Sequence, residues 1–252
     1  MQFNMETQFC AACVNGDIKL AKKLLLDNPQ INISVRDEYV FRTACYKGCL
    51  EVAKWLLQIK PQIDISVFNE SAFRSACYNG NLEVAKWLLQ IRPQLDISVC
   101  DEYAFRYACH NSHLEICKWL LQIRPQINIS VRDEEAFRSA CYNGHLNIAK
   151  WLLEIKSDVN ISAKNEYAFR VACVYNHLDI AKWLQTLKPY LYVINYNTDG
   201  KYMGHYIRTK KEARWQQTKY LVWLSSLHSP NKQSILYNLP NDVSRYIIQN
   251  FI

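Results

Sequence analysis

The stretch A-F-R-S-A-C-Y-N-G-H-L-N-I-A-K-W-L-L, Ala136 to Leu153, decides how the chain is read, because its landmarks recur in register along most of the length. Its phenylalanine recurs at Phe9, Phe41, Phe73, Phe105, Phe137 and Phe169, and its cysteine at Cys13, Cys45, Cys77, Cys109, Cys141 and Cys173, both columns advancing by 32 residues. Such a fixed period marks a stack of small units that bury their apolar faces against one another. The 252 residues therefore read as a repeat array rather than as one or two ordinary domains.

Each interior unit opens on Asp or Asn followed by Glu: Asp37-Glu38, Asn69-Glu70, Asp101-Glu102, Asp133-Glu134, Asn165-Glu166. That pair predicts a capped helix N-terminus with an acidic first turn. Four residues after each Glu stands Arg42, Arg74, Arg106, Arg138 or Arg170. The spacing reads as a surface ion-pair ladder of about 0.2–0.5 kcal/mol per pair rather than as an anion-binding row. Gly16, Gly48, Gly80 and Gly144, with Ser112 and Asn176 in the same column, mark the end of a short first helix and a turn into a second.

The second helix, L-E-V-A-K-W-L-L-Q-I from Leu50 to Ile59, is polar only at Glu51, Lys54 and Gln58, so it must be covered on several sides. Its recurrent Trp55, Trp87, Trp119, Trp151 and Trp183 are assigned to packing between units. Lys60-Pro61, Arg92-Pro93 and Arg124-Pro125 stop it, and the following I-D-I-S or I-N-I-S alternates like a short extended segment. The first unit, Glu6 to Leu26, has Lys23 in place of Trp and Cys10 in place of Arg, as suits an end unit with one free face.

Charge is unevenly placed: residues 1–184 carry 21 Lys/Arg against 20 Asp/Glu, while residues 185–252 carry 9 against 3. Met1 to Leu26 has no hydrophobic run of a secretion signal. The ten cysteines are therefore expected to be reduced, and the protein intracellular, cytoplasmic or nuclear. No run approaches the ~18 apolar residues of a membrane span.

These residues resemble the ankyrin repeat. Y-A-F-R-Y-A-C (Tyr103 to Cys109) is similar to T-P-L-H-L-A-A, and G-H-L-N-I-A-K-W-L-L (Gly144 to Leu153) to G-H-L-E-V-V-K-L-L-L. The Thr-Pro is absent, Arg replaces His and 32 residues replace 33, a divergent form that looks like the ankyrin arrays of large DNA viruses. The fold implied is all-α, an ankyrin-like helix-turn-helix solenoid of six 32-residue repeats with a C-terminal helical cap. Residues 1–184 are the array and 185–230 a degenerate capping repeat, with K-Y-L-V-W-L (Lys219 to Leu224) as its second helix and a Tyr-rich insertion from Tyr190 to Tyr206.

Residues 231–252 form a last segment, in which Leu239 and Pro240 precede an apolar helix face of Val243, Ile247, Ile248 and Phe251. It is similar to the start of an F-box, which implies recruitment of the Skp adaptor of a cullin ubiquitin ligase. The alternative is a helix that docks on Trp215, Leu221 or Trp223. The basic run Arg208, Lys210, Lys211 and Arg214 fits a solvated cap face and leaves nucleic-acid binding as a second function class.

No phosphate-cradling glycine loop and no metalloprotease motif occur, so no catalytic residue, cofactor or metal is assigned. His113, His145 and His177 form a column of turn residues, and Cys109, His110, His113 and Cys117, like Cys10 and Cys13, are read as structural rather than as a zinc site or redox pair. By the resemblance, the columns that vary from unit to unit line a concave protein-binding face. They are Arg36, Phe68, Arg132 and Lys164 before the first helices, and Tyr46, Tyr78, Asn79, His110, Tyr142, Asn143 and Tyr175 at their ends. The expected protein is a monomeric, non-enzymatic adaptor.

Overall fold

Each 32-residue unit folds as two helices joined by a tight turn. The computed structural model describes residues 2–189, 191–196 and 202–207 together with 212, 216, 218 and 219. First helices are α1 (Gln2–Val14), α3 (Val35–Lys47), α5 (Val67–Tyr78), α7 (Val99–His110), α9 (Val131–Tyr142) and α11 (Ala163–Val174). Second helices are α2 (Ile18–Asp27), α4 (Leu50–Ile59), α6 (Leu82–Ile91), α8 (Leu114–Ile123), α10 (Leu146–Ile155) and α12 (Leu178–Leu187). The chain divides into two compact units, Met1–Ala168 and Phe169–Ile252, with the boundary inside α11.

In the first unit the Phe and Cys columns are fully buried, and Phe9, Phe41, Phe73 and Phe105 each meet the Trp of the next repeat. Phe9–Trp55, Phe41–Trp87, Phe73–Trp119 and Phe105–Trp151 are tilted ring pairs with centroids 6.2–6.3 Å apart. The Trp row is therefore packing between repeats, in the edge-tilted geometry that aromatic quadrupoles favour. None of the ten cysteines forms a disulfide, and desolvation dominates the environment of the buried column thiols Cys13, Cys45, Cys77 and Cys141. Burial accordingly pushes Cys13 up to about 12 and raises Cys45, Cys77 and Cys141 as well.

From α3 onward, the start of each first helix departs from the expected cap. Phe68-Asn69-Glu70, Cys100-Asp101-Glu102, Arg132-Asp133-Glu134 and Lys164-Asn165-Glu166 all have φ between 53° and 62°, as do Asp37 and Glu38. Three consecutive non-glycine residues thus make one left-handed turn, which costs roughly 1 kcal/mol or more per residue unless neighbouring groups hold it.

The clamp is the arginine row. Arg74 Nε donates to Asn69 O (2.6 Å) and Nη2 to Phe68 O (2.7 Å); Arg106 and Arg138 repeat the fork on Asp101/Cys100 and Asp133/Arg132. For Arg74, Arg106 and Arg138 the expected Glu-to-Arg ladder is corrected on this point, because the guanidinium bonds the carbonyls that the left-handed turn leaves open.

The displaced glutamates turn toward the next repeat instead. Glu102 Oε1 accepts from Asn128 N (3.4 Å) and Glu134 Oε1 from Asn160 N (3.2 Å). Burial raises the Glu70 carboxyl above the usual range, against the opposing pull of the Ser66 hydroxyl and the Asp96 backbone. Ser34 donates to Glu38 and accepts from Lys60, and Lys156 Nζ donates to Ser130 Oγ (2.6 Å), so the loops are tied across the same seam.

The I-D-I-S and I-N-I-S stretches are turns, not extended segments. Asp64, Asp96, Asn128 and Asn160 accept from the amide two residues on, at Ser66, Ser98, Ser130 and Ser162, at 2.9–3.1 Å. This is the Asx turn that short polar side chains favour. The apolar members, among them Ile63, Ile65, Ile127 and Ile129, point into the core.

In the second unit the chain after α12 forms an antiparallel hairpin, β1 (Tyr192–Tyr196) with β2 (Tyr202–Ile207), in the register Tyr192↔Ile207. The expected Tyr-rich insertion is this hairpin. Tyr192 is fully buried, stacks on Phe169 with centroids 4.1 Å apart, and its carbonyl accepts from Gln185 Nε2 (3.1 Å). Arg208, Lys210, Lys211, Arg214, most of Lys219 to Leu224, and Leu239, Pro240, Val243, Ile247, Ile248 and Phe251 lie outside the described residues. Among the described residues no helix is long and apolar enough to cross a membrane.

Candidate functional site

A helix leaves its last carbonyls without partners, and here the next repeat supplies them. Asn81 Nδ2 donates to Tyr46 O (2.7 Å), Asn111 Nδ2 to Tyr78 O (2.8 Å), and His113 and His145 reach Tyr78 O and His110 O with Nε2, each at 3.0 Å. A carbonyl can only accept, so Nε2 of each imidazole carries a proton. Burial lowers the His113 pKa more than the Tyr78 carbonyl raises it. Gly80, at φ +81°, leaves room for this staple: a Cβ there would sit 2.7 Å from the His113 ring.

His113 and His145 are therefore seam residues, and no group of three metal-binding side chains exists among the described residues. Cys109 and Cys117 bring their sulfurs to 3.3 Å in the core as free thiols.

The same helix ends carry the variable columns. Tyr46 stacks on Tyr78 (6.4 Å), Tyr78 meets Tyr107 (5.6 Å) and Tyr107 stacks on Tyr103 (4.1 Å), giving an aromatic ribbon across three repeats. Tyr46 is 38% exposed, and Tyr78, His110, Tyr142 and Asn143 are half-buried. Asn143 Nδ2 bonds His110 Nδ1 (3.1 Å) across the seam, while Asn79 Nδ2 donates back to Ser75 O in its own helix (3.3 Å).

Among the residues before the first helices, Phe68 is 57% exposed with the Arg42 guanidinium 4.8 Å from its ring. Arg132 pairs with Asp101 (2.9 Å) and Lys164 with Asp133 (2.6 Å), so these two are already engaged by the preceding repeat. The Arg36 side chain lies outside the described residues, and Tyr175, 51% exposed, belongs to the second unit.

Between α7 and α9 the ribbon gives way to a cavity of about 290 Å³, whose walls include Arg106, Tyr107, His110, Glu135, Arg138 and Tyr142. Arg106 is only 3% exposed, and its Nη1 lies 2.6 Å from Glu135 Oε2 at an angle that makes no directed hydrogen bond. Burial lowers the His110 pKa, against the raising influence of Glu135.

Of these walls, Tyr142 and His110 were legible as varying positions. Arg106 and Arg138 hid in a constant column, Tyr107 stands where other repeats have small residues, and Glu135 interrupts the column Tyr39, Ser71, Tyr103, Glu135, Tyr167. That interruption was a signal the sequence offered.

Comparison with known proteins bears on the whole array. A family model described as ankyrin repeats (3 copies) matches residues 76–165 and 105–198, and one described as ankyrin repeats (many copies) matches residues 41–89. Among solved structures, the human ASB11 ankyrin repeat domain matches with a TM-score of 0.53 at 19% identity, over 77% of this chain and 88% of that one, a likeness of fold. No curated protein matches the sequence.

Proposed function

The chain belongs to the ankyrin-repeat family, and from that premise we propose that it is a non-enzymatic scaffold whose first-helix face binds a protein target. The observation that carries this reading is the division of labour between columns. The Phe, Cys, Ala and Gly positions are buried or sterically committed and nearly constant, whereas Tyr46, Tyr78, His110 and Tyr142 vary, stay partly exposed and share one face. Tyrosine gives such a surface large contact area at little entropic cost, which is why it dominates interface hot spots.

Proximity labelling in the native cell identifies the candidates, and a Tyr78→Ala, Tyr142→Ala double variant tests the face. Target binding is expected to weaken about tenfold or more with the thermal midpoint nearly unchanged. Undiminished binding sinks the reading.

The finer proposal is an adaptor, in which Leu239, Pro240, Val243, Ile247, Ile248 and Phe251 link the target to the Skp subunit of a cullin ubiquitin ligase. Its support is the Leu-Pro start and the apolar spacing of that last segment alone. Pull-downs with the intact chain and with a Leu239→Ala, Pro240→Ala variant decide it; equal recovery of Skp and cullin from both removes the ligase link.

A further inference from the structure

Glu135 stands where a ring belongs. Of the residues 29 positions after the arginines, Tyr103 has the Arg74 guanidinium 4.6 Å from its ring and Tyr167 has that of Arg138 at 5.2 Å, while Ser71 follows Arg42, whose guanidinium lies against Phe68 instead. Beside Arg106 the corresponding residue is Glu135, and the 290 Å³ cavity opens there. Resting on the reading of this face as the binding surface, we infer that the cavity anchors an acidic side chain, Asp or Glu, of the protein partner. Glu135 is the internal carboxylate that holds the place until the partner's carboxylate takes it.

The chemistry selects a carboxylate. Nε and one N–H of Nη2 of Arg106 are tied to Asp101 O (2.6 Å) and Cys100 O (3.0 Å), which leaves Nη1, without a directed hydrogen bond of its own, facing the cavity beside Glu135. A carboxylate is the group Nη1 already meets in this structure, through Glu135 Oε2 at 2.6 Å, and a partner's Asp or Glu offers the same group. Arg106 is buried, where its charge is screened little by water and attracts an anion strongly. Against Arg106 and Arg138 stands the single carboxylate of Glu135, which leaves the walls net positive.

A displaced Glu135 also has a second cation in reach, since Arg132 Nε lies 4.0 Å from its Oε2. Tyr107 and Tyr142 supply ring surface for the methylene stem of the incoming residue.

The test uses the full chain and a display library of short random peptides. Selected peptides are expected to share an Asp or Glu whose amide counterpart binds about tenfold more weakly by fluorescence anisotropy. Arg106→Gln would also break the clamp, so the decisive variants lie at position 135. Glu135→Gln removes the competing carboxylate and is expected to tighten acidic peptides about fivefold. Glu135→Tyr restores the residue of its column, fills the cavity and is expected to abolish their binding while the thermal midpoint holds or rises.

Peptides without acidic enrichment, or affinities indifferent to both position-135 variants, overturn the pocket while leaving the face intact. Displacement by inorganic phosphate or acetate as readily as by unlabelled peptide makes this a small-anion site and overturns it too. Insensitivity to the Tyr78, Tyr142 double variant is a separate result that counts against the face.

Discussion

At the scale of the residue, the arginine row carries the main lesson. Glu and Arg four apart pointed to an ion-pair ladder, yet Arg74, Arg106 and Arg138 close a left-handed turn that nothing in the local sequence announces, because no glycine stands in it. Arg138→Lys keeps the charge but cannot fork onto Asp133 O and Arg132 O. We expect it to lower stability by about 2 kcal/mol in urea unfolding, where a loss below about 0.5 kcal/mol would show that the clamp is idle. His113 gives the second residue-level expectation. Its folded pKa is lowered by burial, so below the ordinary value of 6.5 the unfolded chain takes up the proton first. Its contribution is complete above that value and is lost as pH falls toward the folded pKa. His113→Asn installs the residue that Asn81 already uses in this column, and its melting temperature should fall less than that of the parent chain between about pH 8 and about pH 5.5.

At the scale of the element, helix pairs were legible because three signals agreed: the glycine turn, the Pro stop and the broad apolar face of L-E-V-A-K-W-L-L-Q-I. Phe–Trp contact between repeats followed from the same register. The hairpin of Tyr192–Tyr196 and Tyr202–Ile207 was not legible as strands, since a five-residue run of Tyr, Val, Ile and Asn carries little periodicity and its tyrosines read equally as insertion. Tyr192 occupies against Phe169 the role that a tryptophan has in the earlier repeats, and so covers that ring from a strand instead of a helix. Tyr192→Ala should destabilise the second unit by about 3–4 kcal/mol, seen as earlier loss of hydrogen-exchange protection in α12 than in α4. Simultaneous loss throughout would show that the hairpin does not stabilise that end. Part of the candidate site is also an element-level feature: the helix-end columns of His110 and Tyr142 were visible as variation, whereas the cavity depends on α7 and α9 lying side by side.

At the scale of the whole molecule, the same contacts recur from repeat to repeat along the first unit. The six column thiols are buried, while Cys100 is exposed. A thiol reagent should therefore modify Cys100 rapidly and the column cysteines only as fast as the array opens, and rapid labelling of Cys77 or Cys141 in native protein would contradict the packing. The seams obey fixed offsets: Ser130 to Lys156 spans 26 residues, Asp101 to Arg132 and Asp133 to Lys164 span 31, Tyr78 to His113 and His110 to His145 span 35. Removing Val67 to Ser98 would rejoin every seam with an equivalent partner, so that shortened chain should still fold, with a lower urea midpoint; a molten product would refute the equivalence. In terms of inheritance, thirty-two codons are the quantum in which this gene can lengthen or shorten without inventing a single new contact. Misaligned recombination between its own repeats then reshuffles which tyrosines and charges are neighbours on the surface, while the frame that presents them is copied unchanged.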